Sequence, residues 1–377
     1  MGTIKRVVHL TTVHHPYDPR IYHKECLSLY RAGFDVTLIA QGDKKHFNKS
    51  LINFIPIKRY KNRLSRMLFG TIAIFKKARK IDADVYHFHD PELMPIGWLL
   101  KKKNNIVIYD IHEDYVTSIL QKKYLPKPIR NLIAKLYKLF ENIFINKFNL
   151  CLAEKYYKEM YPEGKCILNY PINNRQNATL KSSNVQMSNK LLYTGNISTV
   201  RGALIHAKLP QIDENITVEM IGKCPKDLAE EMMTIAGHRK ESLKIKGIDE
   251  FIEKEEIDEA YIKGNWLAGL ALFPPTEHYK KKELTKFFEY MNAGIPIICS
   301  DFPVWKDFVE RYECGIAVDP FNHEEIKQAI QYLKNNPNQA RIMSLNGKCA
   351  VMKELNWRIE EKELIDWYSQ LLRNINK

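Results

Sequence analysis

Two charged side chains, Lys286 and Glu289, stand three residues apart in the stretch LTKFFEY. In a helix, this spacing places both side chains on the same side of the first turns. A lysine, the free amide groups of a helix N-terminus and the helix dipole all favour a phosphate. A carboxylate accepts two hydrogen bonds from adjacent ribose hydroxyls. The pair therefore suits a ligand that is anionic at one end and hydroxylated at the other, although such pairs are also common on exposed helices.

The elements around this pair are predicted to be a strand, a loop, a helix and a second strand. Residues 270–273 form a short apolar run that stops at two prolines, which is typical of a buried strand ending in a loop. Thr285 is predicted to cap the helix and Gly294 to end it. Residues 295–299 are predicted to form the next strand. In a parallel sheet, such a helix begins at the carboxyl end of the preceding strand, where ligands bind.

The first half of the chain repeats this alternation of strands and helices. Strands are predicted at residues 4–13, 36–40, 84–89 and 106–110, and a helix is predicted from His23 to Arg31. Polar clusters follow three of the strands, namely HHPYDPR, the end of VYHFHD, and IHEDY. The sequence therefore predicts an α/β fold, and a length of 377 residues with 45% apolar residues is enough for two domains.

Several segments resemble the retaining glycosyltransferases of family 4, which have the GT-B fold. KFFEYMNAGIPIICSD resembles the family segment KLFEYMAAGxPVIASD, and KLLYTGNISTVRGA resembles YxGxxxxxRG. The opening HLTTVHHPYDPRIYHKECLSLYRAGFDVTLIA, and then VYHFHDPEL and VIYDIHEDY, resemble further family segments in the same order. The resemblance covers nearly the whole chain. It implies two Rossmann-like domains facing a central cleft, with a C-terminal helix that crosses back to the first domain.

The domain limits follow from the resemblance and from one polar stretch without periodicity. Residues 1–172 are predicted to form the acceptor-side domain, and residues 173–189 are the predicted linker. Residues 190–355 are predicted to bind the nucleotide sugar. Residues 356–377 are predicted to form the helix that packs back on the first domain.

The resemblance also assigns donor-binding residues in the second half. It implies that Glu289 binds the ribose and that Lys286 and Arg201 lie beside the diphosphate. The full predicted donor set is Gly195, Asn196, Arg201, Glu277, Thr285, Lys286 and Glu289. Many family members carry a sugar-binding carboxylate eight residues before the ribose glutamate, where this chain has Lys281. Glu277 is the predicted substitute, and the departure leaves open a poorly active enzyme.

The first half holds the predicted catalytic and acceptor-binding residues. His112 matches the family histidine beside the donor sugar and the reacting centre, and Glu113 accompanies it as the second predicted catalytic residue. The predicted acceptor side consists of Asp18, Arg20, His23, Lys24, His89 and Asp90.

The sequence has no compact set of metal ligands. Asp82 and Asp84 precede a strand rather than follow one, and the seven cysteines include no CxxC pair. No GxGxxG follows the first strand and no P-loop motif occurs, which argues against a dinucleotide dehydrogenase or a P-loop enzyme. We expect transfer without a metal or other cofactor, with the nucleotide sugar as co-substrate.

The net charge of +14 is concentrated in the first half of the chain. Residues 1–172 hold 30 Lys and Arg against 15 Asp and Glu, a balance of +15, and the remainder has a balance of −1. A basic half implies an anionic partner, which can be nucleic acid, a membrane surface or a phosphorylated acceptor. A lysine-rich solvated surface is the alternative.

Residues 121–148 are predicted to form a basic amphipathic helix. Its apolar positions are Ile129, Leu132, Ile133, Leu136, Phe140, Ile143, Phe144 and Phe148, and its basic residues include Arg130, Lys135, Lys138 and Lys147. Such a helix can lie on an anionic inner leaflet or can pack its apolar side on its own sheet.

Together these features predict a nucleotide-sugar-dependent glycosyltransferase of bacterial surface polysaccharide assembly, acting on a saccharide or lipid-linked acceptor. The alternatives are a non-catalytic GT-B subunit that binds carbohydrate or nucleotide, a sugar-nucleotide epimerase, and a nucleic-acid-binding protein. No apolar run approaches the roughly eighteen residues of a membrane span, and no signal-peptide pattern opens the chain. The expected location is the cytoplasm, with the inner face of the plasma membrane as a site of peripheral attachment.

Overall fold

Two parallel β-sheets, each with its own helices, make up the chain. The computed structural model describes residues 4–43, 47, 50–122, 124–172 and 188–375. One unit comprises Met1–Asn169 with Trp357–Lys377, and the other comprises Tyr170–Asn356. Most of the predicted linker, at residues 173–187, lies outside the described residues, so its role and the predicted domain limits stay predictions.

The first sheet has seven strands within the described residues, all paired in parallel, in the order β3-β2-β1-β4-β5-β6-β7. The strands are β1 (Arg6–Leu10), β2 (Asp35–Gln41), β3 (Asn53–Ile57), β4 (Val85–Phe88), β5 (Ile106–Ile111), β6 (Asn149–Leu152) and β7 (Lys165–Cys166). The helices between them are α1 (Leu27–Arg31), α2 (Arg63–Ser65), α3 (Thr71–Ala78), α4 (Met94–Leu100), α5 (Tyr115–Leu120) and α6 (Lys127–Phe144).

The second sheet has six described strands, also parallel, in the order β10-β9-β8-β11-β12-β13. They are β8 (Lys190–Thr194), β9 (Thr217–Cys224), β10 (Leu243–Ile248), β11 (Ala268–Ala271), β12 (Ile297–Ser300) and β13 (Gly315–Val318). Its helices are α7 (Ala203–Ile212), α8 (Lys226–Ala236), α9 (Lys254–Lys263), α10 (Glu277–Lys280), α11 (Thr285–Ala293), α12 (Pro303–Arg311), α13 (His323–Asn335) and α14 (Pro337–Lys353).

The last helix, α15 (Trp357–Ile375), packs on the first unit, as predicted. The Trp357 indole donates a hydrogen bond to Ser28 Oγ at 3.0 Å, and Leu364 is fully buried in the core of the first unit. The Tyr368 hydroxyl lies 2.6 Å from His87 Nδ1 on β4. The predicted α/β architecture of two Rossmann-like parallel sheets with a C-terminal helix is therefore confirmed.

Two parts of the first unit differ from the sequence prediction. The helix predicted from His23 begins earlier, because a π-helical turn at Pro19–Cys26 leads into α1. Asp18 caps this turn by accepting hydrogen bonds from the Arg20 and Ile21 amides. Strand β3 was not predicted, since it contains Pro56, and it lies at the edge of the sheet where a missing amide donor is tolerated.

Three glycines bring neighbouring strands of the second sheet into close backbone contact. Gly195 follows β8, Gly222 lies in β9, and Gly247 lies at an irregularity in the pairing of β10. A Cβ on Gly222 would lie 2.0 Å from the Gly195 carbonyl oxygen, and one on Gly247 would lie 2.5 Å from the Gly222 carbonyl oxygen. We call these three residues the glycine row, and its positions 222 and 247 leave no room for a side chain.

Replacing Gly222 by alanine should destabilise the protein by about 3 kcal/mol or more, because the methyl group would collide with backbone and φ is +150°. Gly33 is the matched control, since its φ is +91° and a Cβ there meets nothing within 4 Å. We expect Gly33→Ala to cost about 1–2 kcal/mol. Thermal and urea unfolding of both variants measure the difference, and equal losses would contradict the steric argument.

Candidate active site

In the first unit, polar residues gather where β1, β4 and β5 end. These strands are neighbours in the sheet, and the residues that follow them include His14, Asp90 and His112. Asp90 is fully buried and accepts hydrogen bonds from the Thr11 hydroxyl at 2.8 Å and the Thr12 amide at 2.6 Å. The His14 and His112 ring centres are 5.0 Å apart. The structure therefore brings two of the predicted residues, Asp90 and His112, to one edge of the sheet.

Asp110, at the end of β5, holds the histidines of this cluster. Its carboxylate is fully buried, and Arg20 binds it in a two-pronged ion pair at 2.8 and 2.9 Å. The same carboxylate lies 3.1 Å from His89 Nδ1 and 2.6 Å from His112 Nε2. Burial acts to raise the pKa of Asp110, but Arg20 and His112 outweigh it and hold that pKa well below its usual range. Asp110 therefore fixes the His112 ring with an ionised carboxylate.

A second buried carboxyl group, Glu25, contacts the same arginine as Asp110. Burial and the charge on Asp110 raise its pKa well above the usual range, although Arg20 lies 3.1 Å away. Glu25, His87, His89 and Asp110 present possible metal-ligand atoms within 4.8 Å of one another. The Arg20 guanidinium, which is in contact with both carboxyl groups, opposes a second cation there. The residues present therefore fit an internal ion-pair network better than a metal site.

The other predicted acceptor residues lie on or beside the π-helical turn. Asp18 caps the turn and lies 3.2 Å from His14 Nδ1. Burial acts to raise the pKa of Asp18, but the bond with His14 dominates and lowers it. His23 is exposed, whereas Lys24 is buried and donates to Asn169 Oδ1 at 2.6 Å. The predicted catalytic residue Glu113 is exposed next to His112.

In the second unit, Lys286 is buried at the start of α11. Its ammonium donates a hydrogen bond to the Thr194 carbonyl at 2.6 Å, at the end of β8. It lies 4.1 Å from the centre of the Tyr193 ring, and a Cβ on Gly195 would be 3.8 Å from it. Lys286 is therefore a buried cation at the carboxyl end of β8, a central strand of this sheet.

Burial, and after it the positive charge of Arg201, lower the pKa of Lys286 to about 7, with Glu289 opposing the shift. A buried ammonium of this kind is stabilised by any anion that comes to lie against it. The N-terminus of α11 adds to this preference, because Leu284 in the N-cap position makes no side-chain cap. The arrangement suits a phosphate group.

Glu289 lies one turn further along α11, with its side chain 31% exposed. The Tyr261 hydroxyl donates to its Oε2 at 2.9 Å, and the Lys254 ammonium lies 3.5 Å from Oε1. These two contacts come from α9 and hold the carboxylate in one orientation. A partly exposed, oriented carboxylate can accept hydrogen bonds from a pair of hydroxyl groups.

The remaining predicted donor residues differ in their surroundings. Arg201 is half-buried, and its Nε donates to the Tyr279 hydroxyl at 3.1 Å. Asn196 is exposed and its carbonyl accepts a hydrogen bond from Tyr193. Glu277 is exposed on α10 and pairs with Lys280 at 2.9 Å, and Lys281 is exposed at the end of α10.

One local prediction for α11 is wrong. Thr285 is the first residue of the helix rather than its cap, because Leu284 has the extended backbone of the N-cap position and Thr285 is already helical. Gly294 ends the helix in the left-handed conformation with φ of +71°, as predicted.

Six residues that shape the two clusters were not predicted from the sequence: His14, Glu25, Asp110, Lys254, Tyr261 and Tyr279. A charged residue at the end of an otherwise apolar strand was a signal for Asp110. His14 lay within a polar cluster that had been recognised. Tyr261 had no local signal, since only the packing of α9 on α11 brings it to Glu289.

Two family profiles match the chain. The profile described as Glycosyltransferase Family 4 matches residues 20–154, and the profile described as Glycosyl transferases group 1 matches residues 276–349. The first range includes Asp110 and His112, and the second includes Lys286 and Glu289. A comparison with curated protein sequences found no significant match.

Solved structures with low sequence identity share the fold over nearly the whole chain. A glycosyltransferase from Rickettsia africae ESF-5 superposes with a TM-score of 0.73 at 14% identity, covering 99% of this chain and 100% of that one. Sucrose-phosphate synthase from Thermosynechococcus elongatus gives a TM-score of 0.72 at 15% identity, covering 98% and 100%. Anabaena Alr3699/HepE in complex with UDP-glucose gives a TM-score of 0.69 at 12% identity, covering 97% and 99%. The chain therefore carries a Glycosyltransferase Family 4 domain and a Glycosyl transferases group 1 domain, and it has the fold of the GT-B glycosyltransferases.

Proposed function

We propose that the protein transfers a sugar from a nucleotide-diphosphate sugar to a saccharide or lipid-linked saccharide. The observation that carries this proposal is the buried ammonium of Lys286 at the N-terminus of α11, with the oriented carboxylate of Glu289 one turn further on. The ammonium and the helix N-terminus suit a diphosphate, and the carboxylate suits the ribose hydroxyls. The UDP-glucose bound by the Anabaena protein of the same fold is consistent with such a donor.

In this proposal, the leaving diphosphate is stabilised by Lys286, Arg201 and the amide groups at the start of α11. Gly195, Asn196 and Thr285 complete the donor site, and Glu277 on α10 takes the place of the missing carboxylate at position 281. These positive groups would neutralise the diphosphate without a metal ion. Metal-free transfer is therefore part of the proposal.

We propose that His112 acts at the reacting centre, because Asp110 holds its ring while the side chain keeps 12% of its surface exposed. The exposed Glu113 is its proposed partner. Asp18, Arg20, His23, Lys24, His89 and Asp90 form the proposed acceptor side, where Arg20 and His89 act through Asp110. Retention of the anomeric configuration rests on the family resemblance alone.

The proposed setting is the assembly of a bacterial surface polysaccharide at the inner face of the plasma membrane. The support is the excess of basic residues in the first half of the chain, which favours an anionic surface or a phosphorylated lipid-linked acceptor. In the part of the chain that the structure describes, none of the helices has the length and apolar character needed to cross a bilayer.

A second candidate function is a non-catalytic subunit that binds a nucleotide or carbohydrate. Lys281 favours it, because the common family carboxylate is replaced by a residue of opposite charge. The same donor-site geometry would then bind a ligand without transferring a sugar.

A thermal-shift panel tests the donor site first. UDP, GDP, ADP, CMP and their sugar conjugates are compared, each with and without EDTA. A nucleotide present at about one hundred times its dissociation constant should stabilise the native state by about 2.7 kcal/mol. We expect one diphosphate to raise the midpoint equally in both conditions. A response that EDTA abolishes would contradict metal-free binding, and no response at all would contradict the donor site.

Substitution separates an enzyme from a binding subunit. Glu289→Ala and Arg201→Ala should each reduce transfer by at least about a hundredfold, or about 2.7 kcal/mol, while leaving the unfolding midpoint within a few degrees. Glu310→Ala, in an exposed position on α12, is the matched control and should transfer normally. Unchanged turnover in either donor-site variant would remove that residue from the site. Nucleotide binding without turnover in the unmodified protein would favour the binding subunit.

Nucleotide binding should depend on pH through Lys286, whose pKa is about 7 in the free protein. A bound diphosphate raises this pKa, so binding above pH 7 takes up a proton and the affinity falls by up to about tenfold per pH unit. Calorimetry in two buffers of different ionisation enthalpy at pH 8 counts the proton. Lys286→Met should abolish the uptake, and equal heats in both buffers for the unmodified protein would contradict the mechanism.

A further inference from the structure

The amphipathic helix α6 packs Phe140 and Phe144 against the core of the first unit but turns other apolar side chains away from the protein. Its buried residues are Ala134 and Glu141. A step of two positions along an α-helix turns the side chain by about 200° around the helix axis. The positions two before and two after Ala134 and Glu141 therefore lie on the opposite side of α6. Those positions are Leu132, Leu136, Leu139 and Ile143, and they are 58%, 56%, 62% and 59% exposed. These four apolar side chains therefore face outward, and packing on the chain's own sheet does not explain them.

Glu141 fixes this orientation. The carboxylate is 3% exposed and accepts hydrogen bonds from the hydroxyls of Tyr137 at 3.1 Å and Tyr161 at 2.8 Å, and from the Lys138 ammonium at 2.8 Å. Tyr137 and Lys138 belong to α6 itself, whereas Tyr161 lies outside it, so rotating α6 to bury the leucines would break the Tyr161 bond and carry the carboxylate away from that partner. A buried, fully hydrogen-bonded carboxylate on the inner side is therefore the reason that the leucines remain outside.

Neighbouring helices extend the apolar surface. Helix α4 packs against both α3 and α6, and its Trp98 and Leu99 are 51% and 58% exposed. The segment that includes α2 and the start of α3 exposes further large apolar side chains. We name this surface the outer apolar face, and it consists of Leu64, Leu68, Phe69, Ile72, Trp98, Leu99, Ile129, Leu132, Ile133, Leu136, Leu139 and Ile143. Such an extended group of exposed apolar side chains marks an interaction surface.

The basic residues around the outer apolar face decide between its possible occupants. Exposed basic side chains on or beside the same helices are Arg63, Lys101, Lys102, Lys103, Lys127, Lys135 and Lys147. A second copy of the chain would bring the same positive charges together, and this repulsion disfavours self-association. An anionic bilayer matches both properties, since it accepts apolar side chains below a layer of negative headgroups.

We propose that the outer apolar face docks on an anionic lipid bilayer, with α6 lying in the plane of the interface. The leucines of α6 enter the boundary between headgroups and acyl chains, and the surrounding lysines contact the phosphates. This inference identifies the surface that would carry out the proposed peripheral attachment. It is tested by vesicle binding alone, so it can fail while sugar transfer stands, and the reverse also holds.

Vesicle co-sedimentation tests the proposal with the full chain. The protein should bind phosphatidylcholine vesicles that contain phosphatidylglycerol at least tenfold more tightly than pure phosphatidylcholine vesicles. The triple variant Leu132→Gln, Leu136→Gln and Leu139→Gln should lose at least tenfold in affinity for the anionic vesicles. The matched control, Ile262→Gln with Ile342→Gln and Met352→Gln, removes side chains of similar exposure from the second unit and should bind normally.

Three results would overturn the proposal. The first is equal binding of the triple variant and the unmodified protein to anionic vesicles. The second is equal binding of the unmodified protein to both kinds of vesicle, because the basic residues beside the outer apolar face would then contribute nothing to binding. The third is a dimer in analytical ultracentrifugation that the triple variant converts to monomer, which would make the outer apolar face an interface between copies. Circular dichroism and the unfolding midpoint confirm that each variant is folded.

Discussion

Every strand pairing described in the two sheets is parallel, and this constraint decides where the protein can carry out chemistry. A parallel strand must return through a crossover, so the segments that leave the carboxyl ends collect at one edge of each sheet. In the first unit, this edge gathers Asp90, Asp110 and His112 from β4 and β5. In the second unit, it sets the end of β8 against the start of α11, where Lys286 reaches the Thr194 carbonyl. Residues far apart in sequence therefore become neighbours through the topology of the sheet.

The two sheet edges differ in how far a buried charge is compensated by groups of the chain itself. Asp110 is paired with Arg20 and contacts two histidines, so its negative charge is compensated within the chain. A network of this kind fixes positions, and a ligand gains little by contacting it. Lys286 is buried against a carbonyl oxygen and an aromatic ring, which compensate a positive charge only in part. An anion placed against this ammonium would compensate the cost of its desolvation, which is why the proposed donor site lies at this edge.

The sequence predicted what depends on short-range spacing. The Lys286 and Glu289 spacing, the Gly294 helix end and the amphipathic pattern of α6 all rest on the helical repeat, and each of these helices is present. The contacts made across long separations were beyond such reasoning. Arg20 meets Asp110 across ninety residues, and Tyr261 reaches Glu289 only through the packing of α9. The pattern of α6 gave its apolar stripe but not its direction, because that depends on Tyr161, which lies outside the helix.

The glycine row at the ends of β8, β9 and β10 limits how the second sheet could evolve. The Gly195 carbonyl oxygen occupies the space that a side chain at position 222 would need, and the Gly222 carbonyl oxygen does the same for position 247. A substitution at either position therefore requires a shift of the adjacent strand. Single changes there are penalised, and compensating pairs would have to arise together. Variation is therefore channelled into the loops beyond the strand ends, where side chains can change without moving the backbone. Ligand preference would therefore diverge through changes in these loops, while the backbone at the strand ends stays the same.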